Sequence, residues 1–203
     1  MRGLVLKDLY NLRKDGKMVL LISSLFIVII FTLGNMDLFL STIMLMFSAT
    51  SITTFVCDKQ SGWDTYVTSL PVPRRKVVMS KYVLSFLLAL AGGLLALLVR
   101  WINGMIKNAG SFTETLVFAY SLFAAAVILI SILLPLVYMF GERQARFMLV
   151  AIAAIPMTAF YVFRQIPDEQ IVKQILLLSP FVLVAFSIIS FTVSHGIYRR
   201  KEV

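Results

Sequence analysis

Long apolar blocks, almost free of charge, constrain this chain more than any motif does. A helix needs about 20 mainly apolar residues to cross about 30 Å of hydrocarbon, where no water can satisfy the backbone N–H and C=O groups. Six stretches meet or approach that length, at approximately 18–33, 38–57, 82–101, 115–140, 147–163 and 175–194. The first and fifth are short and can extend by a turn at either end. The connections are correspondingly brief, and none can hold a separate globular domain. Of the 203 residues 60% are hydrophobic and only 14% charged, where a soluble domain carries about 25% charged residues. That balance excludes a soluble enzyme, a disordered tail and a disulfide-stapled secreted domain, and the single Cys57 forms no intrachain bridge. The expected fold class is an all-α membrane protein of six transmembrane helices, with an interfacial amphipathic helix at 1–17, a membrane domain at 18–203 and a short cytosolic helix between spans two and three. The first stretch reads as a retained span, since the residues before it include Asp8 and Asp15 and its end at Thr32, Leu33, Gly34 and Asn35 is a poor cleavage site.

Lys and Arg set the orientation. Fifteen of the nineteen fall on the side that holds both termini, and only Arg100, Lys107, Arg164 and Lys173 fall on the other. The richer side carries the whole net charge of +9, so both termini are expected in the cytoplasm. The charge follows topology and does not point to nucleic acid.

Two cytosolic segments stand out. In the first seventeen residues Val5, Leu6, Leu9, Tyr10 and Leu12 fall on one helical arc and Lys7, Asp8, Asn11, Lys14 and Asp15 on the other, with Arg13 inside the apolar arc, where its head can snorkel out. This suits an interfacial anchor, a docking surface, or both. The second segment is the loop at 58–81. Ser61, Gly62, Trp63 and Asp64 match a capping box, which predicts a short helix from Ser61 toward Leu70, ended by Pro71 and Pro73. Trp63, Tyr66, Val67 and Leu70 recur at helical spacing and give that helix an aromatic, apolar face. Such a face either rests among lipid headgroups or inserts as an anchor into a soluble partner. Pro73 is well placed to open the third span.

The membrane interior carries no ionisable group at the middle of any span, the usual mark of an ion-driven carrier or intramembrane enzyme. Arg100 and Glu114 sit at outer ends, close enough along the chain to suggest a pair at an outer gate. There is no P-loop, no G-x-S-x-G elbow and no paired-His metal motif. The chain is therefore expected to be no enzyme, with no cofactor and no metal of its own, and any work it does draws on energy from elsewhere. Ser41, Met44, Ser48 and Ser51 share one arc of the second span, which suits a helix buried in the bundle or the lining of a path for an amphipathic cargo. Ala151, Ala154 and Thr158 form a small-residue stripe on the fifth span, a candidate helix–helix contact. Pro135, Pro156 and Pro180 are expected to kink the last three spans, and Gly92 with Gly93 to loosen the third.

The run Asp58, Lys59, Gln60, Ser61, Gly62, Trp63, Asp64, Thr65, Tyr66, Val67, Thr68, Ser69, Leu70, Pro71, Val72, Pro73, Arg74, Arg75, Lys76, leading into Ser80, Lys81 and Tyr82, resembles the ABC-2 type transporter permeases. Their pattern is an acidic and aromatic run followed by Ser-Leu-Pro and a basic residue. The resemblance covers nearly the whole chain, including the N-terminal amphipathic helix and six spans, and it makes 164–173 similar to the family's short external helices. It implies a bacterial cell-membrane permease subunit that pairs as a homodimer or heterodimer and is powered by two cytosolic ABC ATPase subunits, which bind the ATP and Mg. It assigns Ser61, Trp63, Asp64, Tyr66 and Leu70 of the coupling helix, flanked by Leu9, Tyr10 and Arg13, to the ATPase contact, and the Ala151, Ala154, Thr158 stripe to the dimer contact. The compact form is similar to exporters of amphipathic peptides such as the phenol-soluble modulin exporters. Two other functions fit the bare sequence: a membrane scaffold that recruits a cytosolic partner without transport, and, less well, a lipid-modifying membrane enzyme.

Overall fold

The computed structural model describes residues 2–33, 36–107, 112–141, 144 and 169–200. They fold into six helices with no strand among the described residues: α1 (Arg2–Leu33), α2 (Met36–Gln60), α3 (Trp63–Ser69), α4 (Arg74–Lys107), α5 (Phe112–Phe140) and α6 (Glu169–Arg200). Four helices are long and apolar enough to cross a membrane, over Leu40–Gln60, Arg74–Ile106, Thr115–Phe140 and Leu178–Arg200. These correspond to the expected second, third, fourth and sixth spans. The expected first span lies within α1 and is not among the four; the expected fifth, with Pro156, Ala151, Ala154 and Thr158, lies outside the described residues. Residues 169–173, expected in a separate external helix, open α6 instead. Pro135 and Pro180 stand inside α5 and α6, which run on through them.

α4 is the central post, packed against α1, α2, α5 and α6. One line of its buried positions, Val78, Tyr82, Ser85, Ala89, Gly92, Ala96, Val99 and Asn103, alternates steps of four and three. On α2 the buried series Leu40, Met44, Phe47, Ser51, Thr54 and Asp58 keeps the same rhythm. A sustained 3.5-residue repeat is the signature of left-handed, coiled-coil-like packing. In lipid, burying apolar surface gives no net drive for helices to associate, so small residues that let backbones approach do the work. Gly92 is such a point: a Cβ there would lie 3.0 Å from Met44 Sδ and 3.0 Å from Phe47 Cβ. Gly92, which with Gly93 is expected to loosen the third span, is thus a point of close approach between α4 and α2. Phe47 to Asp58 and Lys81 to Gly92 are equal steps of eleven residues along α2 and α4. The two helices therefore run antiparallel in one register, which brings Asp58 opposite Lys81.

α1 runs unbroken through the expected join between interfacial helix and first span. α6 is attached more lightly. Only Leu183, Ser190, Ser194 and Tyr198 are buried along its described face, while Phe181, Val182, Val184, Ile188 and Ile189 are exposed, as suits a helix with lipid on most of its circumference.

Candidate functional site

The connection between α2 and α4 is built differently from the capping box that the sequence suggests. Ser61 Oγ does not cap α3; it donates back to the Asp58 carbonyl at 3.1 Å, closing the end of α2. Gly62 holds the N-cap position at φ 65° and ψ 20°, with no side-chain cap. That left-handed conformation favours glycine, and it folds the chain directly from α2 into α3. α3 therefore spans Trp63–Ser69, shorter than the expected 61–70. Leu70 is extended, as the residue before a proline must be, and Arg74 opens α4 immediately after Pro73.

The aromatic face of α3 is divided. Val67 is buried, and Trp63 and Val72 pack against the main core. Tyr66 points away, 58% exposed, with its ring centroid 5.6 Å from that of Trp63. Leu70 is half-buried and Ser61 exposed, while the Asp64 side chain lies outside the described residues. α1 divides likewise. Leu6, Leu9, Tyr10 and Arg13 form an exposed stripe at helical spacing, whereas Asp8 and Leu12 turn into the bundle. The helix thus buries an acid from the face expected to be polar and presents apolar side chains outward.

The reason lies in four charges that, in the sequence, look like topology-setting or solvated groups. Lys7 Nζ reaches Asp58 Oδ1 at 2.5 Å and Asp8 Oδ1 at 3.1 Å; Lys81 Nζ reaches Asp58 Oδ2 at 2.5 Å and Asp8 Oδ1 at 3.0 Å. The charges alternate around a closed ring, so the cluster is neutral overall. Asp8 is 1% exposed and Asp58 and Lys81 are each 5% exposed. Burying such ions is costly unless each is paired and hydrogen-bonded, and here every one meets two opposite charges. Lys7 also stands over the Trp63 ring, 4.0 Å from its centroid, and Lys81 lies 5.0 Å from the Phe55 ring centroid. One node thereby ties α1, α2, α3 and α4 together at the basic end of the bundle. A sequence signal existed for part of it, because Asp58 continues the buried repeat of α2 after Thr54.

The rest of the interior is cross-linked by hydroxyls. Tyr82 Oη pairs with Ser190 Oγ at 2.6 Å and with Ser194 Oγ at 2.8 Å, and Ser190 Oγ reaches the Ser131 carbonyl at 2.5 Å. These bonds join α4, α5 and α6. On α2, Met44, Ser48 and Ser51 are buried and Ser41 is half-buried. Ser48 and Ser51 donate to carbonyls of their own helix. For that arc to line a path, α2 would have to turn or part from α4. The Arg100 guanidinium lies over the Phe118 ring, 4.0 Å from its centroid; the Glu114 side chain of the expected gate lies outside the described residues. Among the described residues no cluster of His, Cys, Asp and Glu could hold a metal ion.

Apolar spans around a polar-braced centre, with a short amphipathic helix folded against a charged node at one end, define a multi-pass helical membrane protein. A family model described as ABC-2 family transporter protein matches residues 3–199. The chain belongs to that family: it is a membrane subunit of an ABC transporter, a class that works with a separate ABC ATPase subunit. No curated protein matches the chain significantly, and no solved structure does.

Proposed function

We propose that this chain is the permease subunit of an ATP-driven exporter in a bacterial plasma membrane, with both termini in the cytoplasm and two ATPase subunits on its cytosolic face. The chain itself is no enzyme; ATP and Mg belong to the partner. The permease pairs with a second permease chain, and the cargo is amphipathic, a peptide being the class most in keeping with the chain's compact form.

The observation that carries this reading is the node of Lys7, Asp8, Asp58 and Lys81 behind Trp63. A push on α3 meets a buried ring of charge that holds α1, α2 and α4, so the force reaches three helices together instead of dissipating in a loop. Domain rotations in allosteric proteins are driven through such discrete packed contacts. The exposed Tyr66 of α3 and the exposed Leu9, Tyr10 and Arg13 of α1 supply the outward anchors for the ATPase; Trp63 works from behind, fixing α3 to the node.

Copurification with the cognate ATPase tests the contact. Replacing Trp63→Ala together with Tyr66→Ala is expected to abolish complex formation and substrate-stimulated ATP hydrolysis; an intact complex with stimulated hydrolysis would show that docking lies elsewhere. Transmission is tested separately by Asp58→Leu with Lys81→Met. That pair is expected to leave ATPase binding in place and to uncouple hydrolysis from transport in proteoliposomes.

A further inference from the structure

A groove of about 930 Å³ runs along the outside of the bundle, between α4 and α6 and over α5. We infer that it is a binding site for an anionic phospholipid, with the headgroup phosphate held at the basic end and an acyl chain laid along the groove. Most hydroxyls in its lining are already occupied. Tyr82 is satisfied by Ser190 and Ser194, and Tyr120 Oη pairs with Ser179 Oγ at 2.6 Å. Ser187 donates to the Leu183 carbonyl and Thr192 to the Ile189 carbonyl. With these hydroxyls engaged, the walls offer carbon: Met79, Val83 and Phe86 of α4 face Val184, Ile188 and Phe191 of α6.

The exception is the basic mouth. Arg75 and Arg199 both line it, both are exposed, and neither forms an ion pair with a described residue. His195 adds a ring edge-on to Phe191, and no Asp or Glu lines the groove among the described residues. Arg74 meanwhile anchors the end of α6 by donating to the Arg199 carbonyl at 2.7 Å, which fixes the two walls at this mouth. From Arg75 to Phe86 the α4 wall is about 16 Å long, the depth of one leaflet of hydrocarbon. Two guanidinium groups at headgroup level above an apolar channel of that depth match the shape and charge of an anionic lipid. The assignment to the cytoplasmic leaflet rests on the orientation proposed above; the site itself does not.

The test uses the full chain in liposomes carrying either phosphatidylglycerol or phosphatidylcholine with a photoactivatable group on one acyl chain. Labelled peptides should map to residues 79–86 and 184–192, with the anionic lipid strongly preferred. One basic side chain near a membrane surface is worth about 1 kcal/mol, or about fivefold. Arg75→Gln and Arg199→Gln are each expected to lower phosphatidylglycerol labelling about fivefold and to leave phosphatidylcholine labelling unchanged, with Arg75→Lys restoring most of it. Ile188→Trp, which fills the channel, should lower labelling by both lipids. Equal labelling by the two lipids, or labels elsewhere on the chain, would overturn the proposal. So would disulfide-linked dimers of a Val184→Cys variant in a Cys57→Ser background, which would give the groove to a second copy of the chain.

Discussion

Two faces of α4 near its basic end hold the bundle in contrasting ways within a single turn. Lys81 closes a ring of four full charges that binds α1, α2 and, through Lys7 and Trp63, α3. Tyr82, the next residue, reaches toward α6 with nothing stronger than a hydroxyl shared by two serines. Both solve the problem that apolar contact alone does not drive helices together in lipid, yet their costs of rupture differ several-fold. Losing one ion strands its partners in a buried site, whereas losing one hydroxyl leaves neighbours that can bond elsewhere. One side of α4 is thus a stiff joint, and the other is a seam that can yield.

Breaking the ring should have the largest effect. Asp58→Ala leaves both lysines short of a carboxylate and is expected to destabilise the fold by about 3–5 kcal/mol, measured by reversible unfolding in mixed micelles. Asp58→Leu combined with Lys81→Met should recover most of that loss, because the other pair, Lys7 and Asp8, remains; if it recovers nothing, the ring is not the source of the stiffness. Next comes the tight crossing between the two regions. Gly92→Val forces Met44 and the less yielding Phe47 aside and should cost about 1–3 kcal/mol, read in the same assay. The seam follows. Tyr82→Phe is expected to cost about 0.6 kcal/mol, because Ser190 keeps its bond to the Ser131 carbonyl; a loss as large as that of Asp58→Ala would erase the contrast. The smallest change in stability belongs to the exposed Tyr66→Ala, within about 0.5 kcal/mol, although its affinity for the ATPase should fall about thirtyfold, as for a 2 kcal/mol anchor.

Sequence patterning reveals the frame of this molecule and hides its joint. The spans around α2, α4, α5 and α6 are legible because a membrane demands a minimum apolar length. The buried arc of Met44, Ser48 and Ser51 is legible because it repeats on one helix face. The node was not legible as a unit. Asp8 lies 73 residues from Lys81, and Lys7 lies 51 from Asp58, so no local pattern announces that these charges meet, and each alone looks like an ordinary solvated or topology-setting group. The same distance hides the direction of Trp63: helical spacing groups it with Tyr66, but Lys7, arriving from another helix, draws it inward. Ser61 shows a local rule overtaken by its neighbour. Its hydroxyl suits an N-cap, yet the left-handed turn at Gly62 makes the end of α2 the nearer acceptor.

The unbroken course of α1 has a mechanical consequence. Asp8 pins this rod near one tip, and the remaining twenty-five residues to Leu33 extend about 38 Å beyond that fulcrum. A tilt of only about 5° at the pin would swing the far tip by about 3 Å, so a nudge too small to open anything locally becomes a displacement the width of a methyl group at the other end of the helix.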